Sequence, residues 1–539
     1  HRELYHVGDQ VVFQDSDGSC LAFEKNGDSY TCEETKEYTL EEEPEEQEKT
    51  YELEEKTEAK EEQETVKKTI SYQWTLMDKD QNITRFDANG TMVSQEDANG
   101  NFLLYEMDET GLLKTVTTDK NQSLKMQYND QNLLKEIELA DGTKMQYTYD
   151  TAGDLTDAAH VSADGTQSVQ EPYAYDKEHH MTTITDAEGN DYGVTYEGEK
   201  AVRFTKPDGE YQQITYGDGT TTVSLHKNDG TKISEDSMTY EKNSGKLLSS
   251  TNGNGVKTTY QYENTENPLL QTGTETTVCY QTLENNQVNF KNDVKVTTTT
   301  AYDSNENVVE EVDETGQVTS TTYGTGKEFS LAQTEVIKNS EGETTSDTTY
   351  DYDDHGNTIL EYEDIGDTKT EYTYDEDGEV KEEQSYENVK SEGDAGVLTS
   401  EQTTQKEEAD HKVSETLTST QGEVTQEDTT AYDAMGREVS STDRNTGEVT
   451  RITYDFMGRA VETERSLKNQ EGKDIVQTET KSYNANGSIT SETSSAGVTI
   501  KYTYDNRNRV TTTKEEADNK TKTTETSYGY ETAVIHTLT

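Results

Sequence analysis

The sequence predicts an all-β protein made of tandem antiparallel β-hairpins. Three observations support this prediction. A Tyr-Asp-x-x-Gly string recurs along the chain, a second glycine lies seven residues before the aromatic residue of many copies, and apolar residues alternate with polar ones between the glycines. Alternation with a period of two is typical of strands that bury one face. Because the unit repeats, neighbouring units are expected to bury each other's apolar faces in one long sheet.

Composition favours such a repeat protein over several ordinary domains. The 539 residues include 112 Asp and Glu against 47 Lys and Arg, a formal net charge of −65, and only 28% are hydrophobic. Globular domains average about 45–50% apolar residues with glycine included. A chain this polar is either a disordered polyanion or a repeat array. Its charge repels phosphate backbones, which argues against nucleic acid as a partner, and no run of about 20 apolar residues predicts a membrane span.

Each copy of the repeat predicts a strand followed by a tight turn. Successive copies lie 21 or 22 residues apart where the pattern is most regular. Asp or Asn opens the turn, and glycine takes the position that requires a positive φ. The residues assigned to the structural repeat are Phe86, Gly90, Tyr149, Gly153, Tyr352, Gly356, Tyr374, Gly378, Tyr432, Gly436, Arg437, Tyr454, Gly458, Arg459, Tyr504 and Arg509.

Three segments follow from these patterns, in chain order. Residues 1–32 contain turn glycines and aromatic residues without a regular copy. Residues 33–69 are rich in Glu and Lys and contain no glycine. Pairs four residues apart, such as Glu52 and Lys56, favour a helical or disordered insertion there, with a partner-binding arm as the alternative. Residues 70–539 are predicted to form the repeat sheet, with the motif degenerate around 380–430.

The form Tyr-Asp-x-x-Gly-Arg at 432–437 and 454–459 resembles the YD (Rhs) repeat. The copy from Tyr504 to Arg509 is similar, with Asn508 in place of the glycine. This family includes bacterial Rhs and wall-associated polymorphic toxins, the C components of insecticidal toxin complexes, and animal teneurins. The resemblance covers about residues 70–539. Gly18, Phe23, Gly27 and Tyr30 also resemble the segment that precedes the repeats in Gram-positive members, which implies that residues 1–32 form a β lead-in. It implies a long sheet of hairpins wound into a spiral or hollow shell.

The resemblance also implies a function. We expect a non-catalytic scaffold, part of a secreted or cell-surface bacterial shell that encloses or presents a C-terminal toxin or effector domain lying outside these 539 residues. That core or toxin domain would be the partner of the shell. The alternative is a surface adhesin that binds a carbohydrate or a protein on another cell. In that case the tyrosine rows would form a stacking surface, whereas in a scaffold they form a half-polar core.

Other candidate sites are sparse. The sequence has no His-Glu-x-x-His, no Gly-x-Ser-x-Gly and no phosphate-binding loop, so we predict neither enzyme activity nor a cofactor. Acidic turns such as Asp15 to Gly18 resemble the start of a calcium loop but lack its later glutamate, so calcium stays open beside plain hairpin turns. Cys20 and Cys32 flank a predicted turn and form either a disulfide or two thiols. Arginines five residues after a repeat tyrosine are expected to pair with carboxylates of neighbouring strands.

Overall fold

The computed structural model consists almost entirely of β-strands. It describes residues 2–27, 29–32, 35–55, 64–265, 267–284, 287–409, 412–421, 424–443, 446–468, 473–517, 520–528 and 533–538. Within these ranges there are 44 strands, one short 3-10 turn at Gly326–Glu328 and no α-helix. None of the described segments is a helix long and apolar enough to cross a membrane. The all-β prediction is confirmed.

The strands fall into three groups along the chain. The first group is β1 (Glu3–Val7), β2 (Gln10–Gln14), β3 (Cys20–Asn26), β4 (Ser29–Cys32), β5 (Tyr38–Glu55), β6 (Glu64–Asp78), β7 (Ile83–Phe86) and β8 (Met92–Glu96). The second group is β9 (Phe102–Met107), β10 (Leu113–Thr118), β11 (Ser123–Tyr128), β12 (Leu134–Glu138), β13 (Lys144–Tyr149), β14 (Leu155–Val161), β15 (Ser168–Tyr175), β16 (Met181–Thr185), β17 (Asp191–Glu197), β18 (Lys200–Thr205), β19 (Tyr211–Tyr216), β20 (Thr220–His226), β21 (Lys232–Tyr240), β22 (Leu247–Thr251) and β23 (Lys257–Gln261). The third group is β24 (Gly273–Glu284), β25 (Gln287–Tyr302), β26 (Val308–Val312), β27 (Val318–Tyr323), β28 (Ala332–Lys338), β29 (Thr344–Tyr352), β30 (Thr358–Glu363), β31 (Thr368–Tyr374), β32 (Val380–Glu387), β33 (Val397–Ala409), β34 (Lys412–Gln421), β35 (Val424–Tyr432), β36 (Glu438–Asp443), β37 (Glu448–Tyr454), β38 (Ala460–Lys468), β39 (Asp474–Tyr483), β40 (Ile489–Thr493), β41 (Thr499–Tyr504), β42 (Val510–Ala517), β43 (Lys520–Tyr528) and β44 (Ala533–Leu538).

Each strand pairs antiparallel with the next one along the chain, so the hairpins form one continuous ribbon from β1 to β44. The register shifts at a fixed place in many hairpins, where the motif tyrosine pairs with the first residue after its turn. Tyr149 pairs with Leu155 in this way, and Tyr454 pairs with Ala460. Such β-bulges bend a strand and increase its twist. Because the bulges recur along one edge, they bias the ribbon to curl.

The repeat tyrosines occupy one face of this ribbon. In β13, Tyr147 lies opposite Ala158, and residues two apart on a strand share a face, so Tyr147 and Tyr149 project together. The other face carries charged pairs such as Lys144 and Glu136, whose Nζ and Oε1 atoms are 2.8 Å apart. The alternation seen in the sequence therefore separates an aromatic face from a charged one.

The first eight strands curl tightly around a hydrophobic core. The N–H of Leu4 in β1 donates to the C=O of Gly90, in the turn after β7, at 2.9 Å. The ribbon thus meets itself after seven strands and encloses a cluster of apolar side chains. This cluster contains Leu4, Val11, Phe13, Phe23, Tyr30, Cys32, Leu40, Trp74, Leu76, Phe86 and Met92. We call this closed N-terminal part of the ribbon, strands β1 to β8, the capped end. The lead-in predicted for residues 1–32 forms one wall of it.

The helical or disordered insertion predicted for residues 33–69 is wrong for the part that is described. Strands β5 and β6 pair with each other as a long hairpin through most of this segment. Tyr51 and Leu53, which are two residues apart, are 4% and 0% exposed and pack against Leu104 of β9. The lysines and glutamates pair across the strands, as Lys67 does with Glu52. The alternation of apolar residues therefore determines the structure of this segment, and the four-residue spacing of Glu and Lys does not.

The strand pairing also continues where the repeat motif fades. Residues 380–430, where the motif fades, continue the same sheet through β32 to β35. The motif spacing is lost there because β33 is 13 residues long, against six for β41.

The register of the lead-in decides between a disulfide and two thiols. Phe23 and not Cys20 lies opposite Cys32, so the two cysteines lie on opposite faces. Cys20 is exposed, Cys32 is buried, and no disulfide joins them.

The ribbon winds round until one of its edges meets an earlier part of itself. Hydrogen bonds join residues that are 251 to 300 positions apart in the sequence. The loop after β4 contacts the turn after β25, and the turn after β18 contacts the turn after β41. One lap of ribbon therefore takes 21 to 23 strands, and we call the edge-to-edge junction between the laps the seam. The predicted winding of the sheet is confirmed.

Candidate functional site: the repeat turns and the seam

Most repeat turns are organised by the carboxylate of their first residue. In the turn after β35, Oδ1 of Asp433 accepts hydrogen bonds from the N–H groups of Met435 and Arg437, at 2.9 and 3.0 Å. The N–H of Gly436 donates to the C=O of Asp433, and Gly436 has a φ of 73°, which glycine adopts without strain. The aspartate thus satisfies backbone donors that a tight turn leaves unpaired.

The same carboxylate arrangement recurs through both laps. It is present in the turns opened by Asp87, Asp97, Asp108, Asp150, Asp176, Asp186, Asp303, Asp313, Asp353, Asp375, Asp455 and Asp505. The acidic turn near the N-terminus differs in detail but also uses its carboxylates locally. Oδ1 of Asp15 accepts from Arg2, and Oδ1 of Asp17 accepts from the N–H of Ser19. These bonds account for the acidic residues as turn formers, and calcium binding stays a prediction.

In many hairpins a tyrosine hydroxyl ties a repeat turn to the preceding turn on the same edge. The hydroxyl of Tyr454 donates to the C=O of Glu438 at 2.7 Å, and that of Tyr149 donates to the C=O of Leu134 at 2.8 Å. The acceptor is the first or second strand residue after the previous turn on that edge. The same bond is made by Tyr128, Tyr196, Tyr216, Tyr262, Tyr323, Tyr352, Tyr374, Tyr483, Tyr504 and Tyr528. We call this bond the tyrosine latch.

The repeat arginines contact their own turn and the next tyrosine, and the predicted pairing with neighbouring strands is wrong for these contacts. Nε of Arg437 donates to Oδ2 of Asp433 at 2.8 Å. Its guanidinium carbon lies 5.1 Å from the ring centroid of Tyr454, a cation–π distance. Arg459 and Arg509 repeat both contacts, each with its own turn aspartate and the next latch tyrosine. The arginine therefore reinforces the latch.

Hydrogen bonding in the turns fixes the charge state of their side chains. For Asp433, partial burial acts to raise the pKa, but hydrogen bonds from the backbone and side chain of Arg437 outweigh it and lower that pKa. Hydrogen bonds from backbone and hydroxyl groups of its own turn lower the pKa of Asp164 to about 2. On the aromatic face, the hydrogen bond to Glu492 and partial burial raise the pKa of Tyr502 to about 12. At neutral pH the turn carboxylates are ionised and the phenol keeps its proton.

Polar side chains at the tips of the turns close the seam. The amides of Asn99 and Asn357 donate to each other, with Nδ2···Oδ1 distances of 3.3 and 2.7 Å. Further along, Nδ2 of Asn486 donates to Oδ2 of Asp186 at 2.8 Å. In every such bond the first-lap residue follows an even-numbered strand and the second-lap residue follows an odd-numbered one, as expected for two facing edges.

Ion pairs also cross the seam. Nζ of Lys120 lies 2.7 Å from Oδ1 of Asp377. Arg507 lies 2.9 Å from Asp208 and 3.2 Å from Glu210, whose side chain is only 5% exposed. Partly buried, charge-assisted bonds of this kind are stronger than exposed surface pairs. Among the described residues, the contacts that join the two laps at the seam are thus mainly hydrogen bonds and ion pairs.

The predicted repeat residues occupy two settings. Phe86 lies in the N-terminal core, and a Cβ atom at Gly90 would lie 1.9 Å from the carbonyl oxygen of Leu4. The remaining predicted glycines, Gly153, Gly356, Gly378, Gly436 and Gly458, all have positive φ. Sequence reasoning missed the seam, because its partners are hundreds of residues apart. The one available signal was Arg507, a cation at a turn position where the copies at 432–437 and 454–459 have Met435 and Met457.

Two family models match the sequence. The teneurin YD-shell matches residues 3–226, and the RHS repeat matches residues 483–521. Over these segments the chain is similar to the YD-repeat family. The YD repeats of both segments share the aspartate turn and the tyrosine latch, as Tyr149 and Tyr504 show. No curated protein sequence matches the chain.

Among solved structures, the chain is similar to TcdB2-TccC3-TEV and to the Photorhabdus luminescens Tc holotoxin pore. The first is 12% identical with a TM-score of 0.46, and the match covers 100% of this chain and 32% of the other. The second is 12% identical with a TM-score of 0.44, covering 99% and 31%. The chain thus spans about a third of the length of these proteins. Both TM-scores are below 0.5, so the evidence for the fold is the strand pairing and the seam of this chain.

Proposed function

We propose that this chain is a non-catalytic scaffold, part of the wall of a secreted or cell-surface bacterial YD-repeat shell that encloses or presents a toxin or effector domain. The observation that carries the proposal is the seam, which joins the edges of successive laps and makes a ribbon into a wall. A sheet whose successive laps are joined in this way can separate an interior from the surrounding solvent, as an enclosing shell requires. The family match over residues 3–226 supports the same role.

The length of a lap supports an enclosed space. Strands about 4.8 Å apart give a lap of 21 to 23 strands a perimeter of at least about 100 Å, so facing walls of a round lap lie roughly 30 Å apart. Sheets packed face to face lie only about 10 Å apart. A flattened lap would bury one face of every strand. Beyond residue 104, however, the buried hydrophobic residues in the described ranges are Ala159, Val161, Val202, Tyr362 and Val389.

The chemistry of the repeat supports a structural role. The aspartates of the turns accept backbone N–H groups, the tyrosine hydroxyls donate to carbonyls, and the arginines donate to the aspartates and lie over the tyrosine rings. Most of the tyrosines that an adhesin would need as a stacking surface are half-buried and hold their hydroxyls in the latch. Because these side chains are engaged in contacts within the sheet, the repeat favours a scaffold over an adhesin or an enzyme.

A protection experiment tests the proposal. The chain is fused at its C-terminus to a small reporter domain through a linker that contains a protease site. We expect the linker to be cleaved far more slowly than in the isolated reporter, and protection to be lost when Lys120→Glu and Arg507→Glu break the seam. Lys125→Glu and Arg451→Glu make the same charge change at exposed pairs within the sheet and should leave protection intact.

Free access of the protease to the linker while the sheet stays folded would contradict the enclosing shell. Binding of the same chain to a defined glycan, lost on substitution of latch tyrosines, would support the adhesin instead.

A further inference from the structure

One repeat turn carries a histidine where other turns carry the latch arginine. His180 lies five residues after the motif tyrosine Tyr175, as Arg437 lies five residues after Tyr432. Arginine stays charged at every physiological pH, whereas the charge of histidine changes near neutrality. The substitution therefore exchanges a permanent cation for a titratable one.

The contacts of His180 reproduce those of the arginine. Its Nδ1 lies 3.1 Å from Oδ2 of Asp176, the first residue of its own turn. Its ring stacks on that of Tyr196, the next latch tyrosine, with centroids 4.6 Å apart and an interplanar angle of 16°. Nε2 lies 3.2 Å from Oε2 of Glu199, in the turn after β17. The side chain of His180 is only 15% exposed, so the contact with Asp176 is partly shielded from water.

The residue before it adds a second titratable link. His179 stands at the glycine position of the turn, with a φ of 68°. Its Nδ1 lies 2.9 Å from Oδ2 of Asp154, at the end of the turn after β13. The histidines thus face carboxylates from three successive turns on one edge, namely Asp150 and Asp154, Asp176, and Glu199. Both ring nitrogens of His180 have an acceptor in reach, which favours the doubly protonated imidazolium.

We propose that His180, with His179 beside it, is a pH-responsive latch that ties the turns after β13, β15 and β17 together when protonated and releases them when neutral. The proposal does not depend on whether the shell encloses a cargo. It makes this stretch of the first lap the one place among the described turns where the arginine position is occupied by a titratable cation with both the aspartate bond and the aromatic stack.

The direction of the effect follows from the contacts. Hydrogen bonds to Glu199 and Asp176 raise the pKa of His180, and the bond to Asp154 raises that of His179. A group whose pKa is raised on folding stabilises the folded state below its unfolded pKa, and that stability is lost as the pH rises through the folded value. Glu199 is 93% exposed, so its share is screened and Asp176 supplies most of the link.

Hydrogen exchange of the full chain at pH 5.5 and 8.0, corrected for the chemical exchange rate, tests the proposal. We expect the amides of β15 to β18 to exchange about threefold to tenfold faster at pH 8.0, because the neutral histidines no longer hold the three turns together. The arginine turn at 433–437 serves as an internal control, and its corrected exchange should be the same at both values. His180→Arg should remove the pH dependence and keep the slow exchange.

His180→Gln should give fast exchange at both pH values, while His355→Gln, at an exposed turn histidine 3.9 Å from Asp353, should leave the difference between them unchanged. Equal corrected exchange of β15 to β18 at the two pH values would overturn the proposal. So would a pH dependence that persists in His180→Arg.

Discussion

The hydroxyl of a repeat tyrosine stabilises this sheet alongside its ring. Tyr454 is half-buried, and its hydroxyl reaches the C=O of Glu438, 16 residues earlier in the chain. The alternation of Tyr and Thr in the sequence indicated which face the ring occupies. It could not indicate the acceptor, because the bulge that brings the hydroxyl to that carbonyl depends on the pairing of two hairpins.

We expect Tyr454→Phe to destabilise the local hairpins by about 0.5–1.5 kcal/mol, the net contribution of one hydrogen bond. Tyr454→Ala should cost about 2–4 kcal/mol, because it also removes the ring. Thr453→Ala, at an exposed position on the opposite face, should cost less than half as much as Tyr454→Ala. Opening free energies from hydrogen exchange of residues 432–468 provide the measurement. A Phe variant indistinguishable from the wild type would show that the latch contributes nothing.

Glycine at position 90 is required by space as well as by φ. Gly90 and Gly100 both have positive φ, at 83° and 94°, so alanine at either position costs on the order of 1 kcal/mol. Only at Gly90 does the added Cβ meet a neighbour, the carbonyl oxygen of Leu4. Gly90→Ala should therefore release β1 from the turn after β7 and expose the N-terminal core to hydrogen exchange, whereas Gly100→Ala should not. Equal exchange of β1 in the two variants would contradict the closure of the capped end.

Strands were predictable wherever apolar residues alternate. The strands β5 and β6, which lie where a helix was expected, were not predictable. In residues 33–69 the spacing of Glu and Lys fits both a helix and two strands paired side by side, as Lys67 and Glu52 show. Tyr51 and Leu53 carried the decisive period of two, but they are only two residues in a polar segment. Turn positions were predictable from Asp and Gly. Which turns meet across the seam was not, because local patterns contain no information on lap length.

Charge reversal at the seam should separate the laps locally. In Arg507→Glu, the new carboxylate faces Asp208 and Glu210, so we expect a loss of about 1–3 kcal/mol and faster hydrogen exchange at residues 206–210. Arg451→Glu makes the same change at a pair whose side chains are 58% and 36% exposed and should cost at most about 1 kcal/mol. If the turn at 206–210 exchanges equally in both variants, the seam pair does not hold the laps.

The whole molecule folds with few buried apolar side chains by repeating the same polar contacts. The low hydrophobic fraction and the recurring motif were enough to predict a repeat sheet, and the family resemblance predicted its winding. The capped end with its true core at Phe13, Phe23 and Phe86 was not predicted in detail, because no regular copy of the motif marks it.

Acid should destabilise the array below about pH 4. The pKa values of Asp150, Asp313 and Asp505 are lowered by hydrogen bonds in their turns, and that of Asp164 falls to about 2. Stability from these groups is present above their ordinary value near 3.8 and is lost as the pH falls towards 2. Protonation of other carboxylates relieves the net charge of −65 at the same time. Thermal midpoints should therefore peak near pH 4–5; a midpoint that rises continuously to pH 2 would contradict this balance.

Salt should stabilise the fold at neutral pH. A net charge of −65 spread over one sheet repels itself, and counterions screen that repulsion over about 10 Å at 0.1 M salt. We expect the thermal midpoint to rise between about 0.01 and 0.2 M monovalent salt. If calcium binds the acidic turns, millimolar calcium should raise the midpoint beyond sodium or magnesium at matched ionic strength. Identical midpoints would remove calcium, and no salt dependence would show that the carboxylates are already compensated.

The most direct test of the winding uses side chains already present at the seam. A carbodiimide joins an amine to a carboxylate only when the two are in contact, and Nζ of Lys120 lies 2.7 Å from Asp377 although the residues are 257 positions apart. Lys125 and Glu138, 3.4 Å apart on neighbouring strands, provide a control for reactivity. For the dilute, folded monomer the account predicts an intramolecular Lys120–Asp377 cross-link, identified by mass spectrometry, that disappears in urea. Formation of the Lys125–Glu138 link without the Lys120–Asp377 link would contradict a ribbon wound into laps.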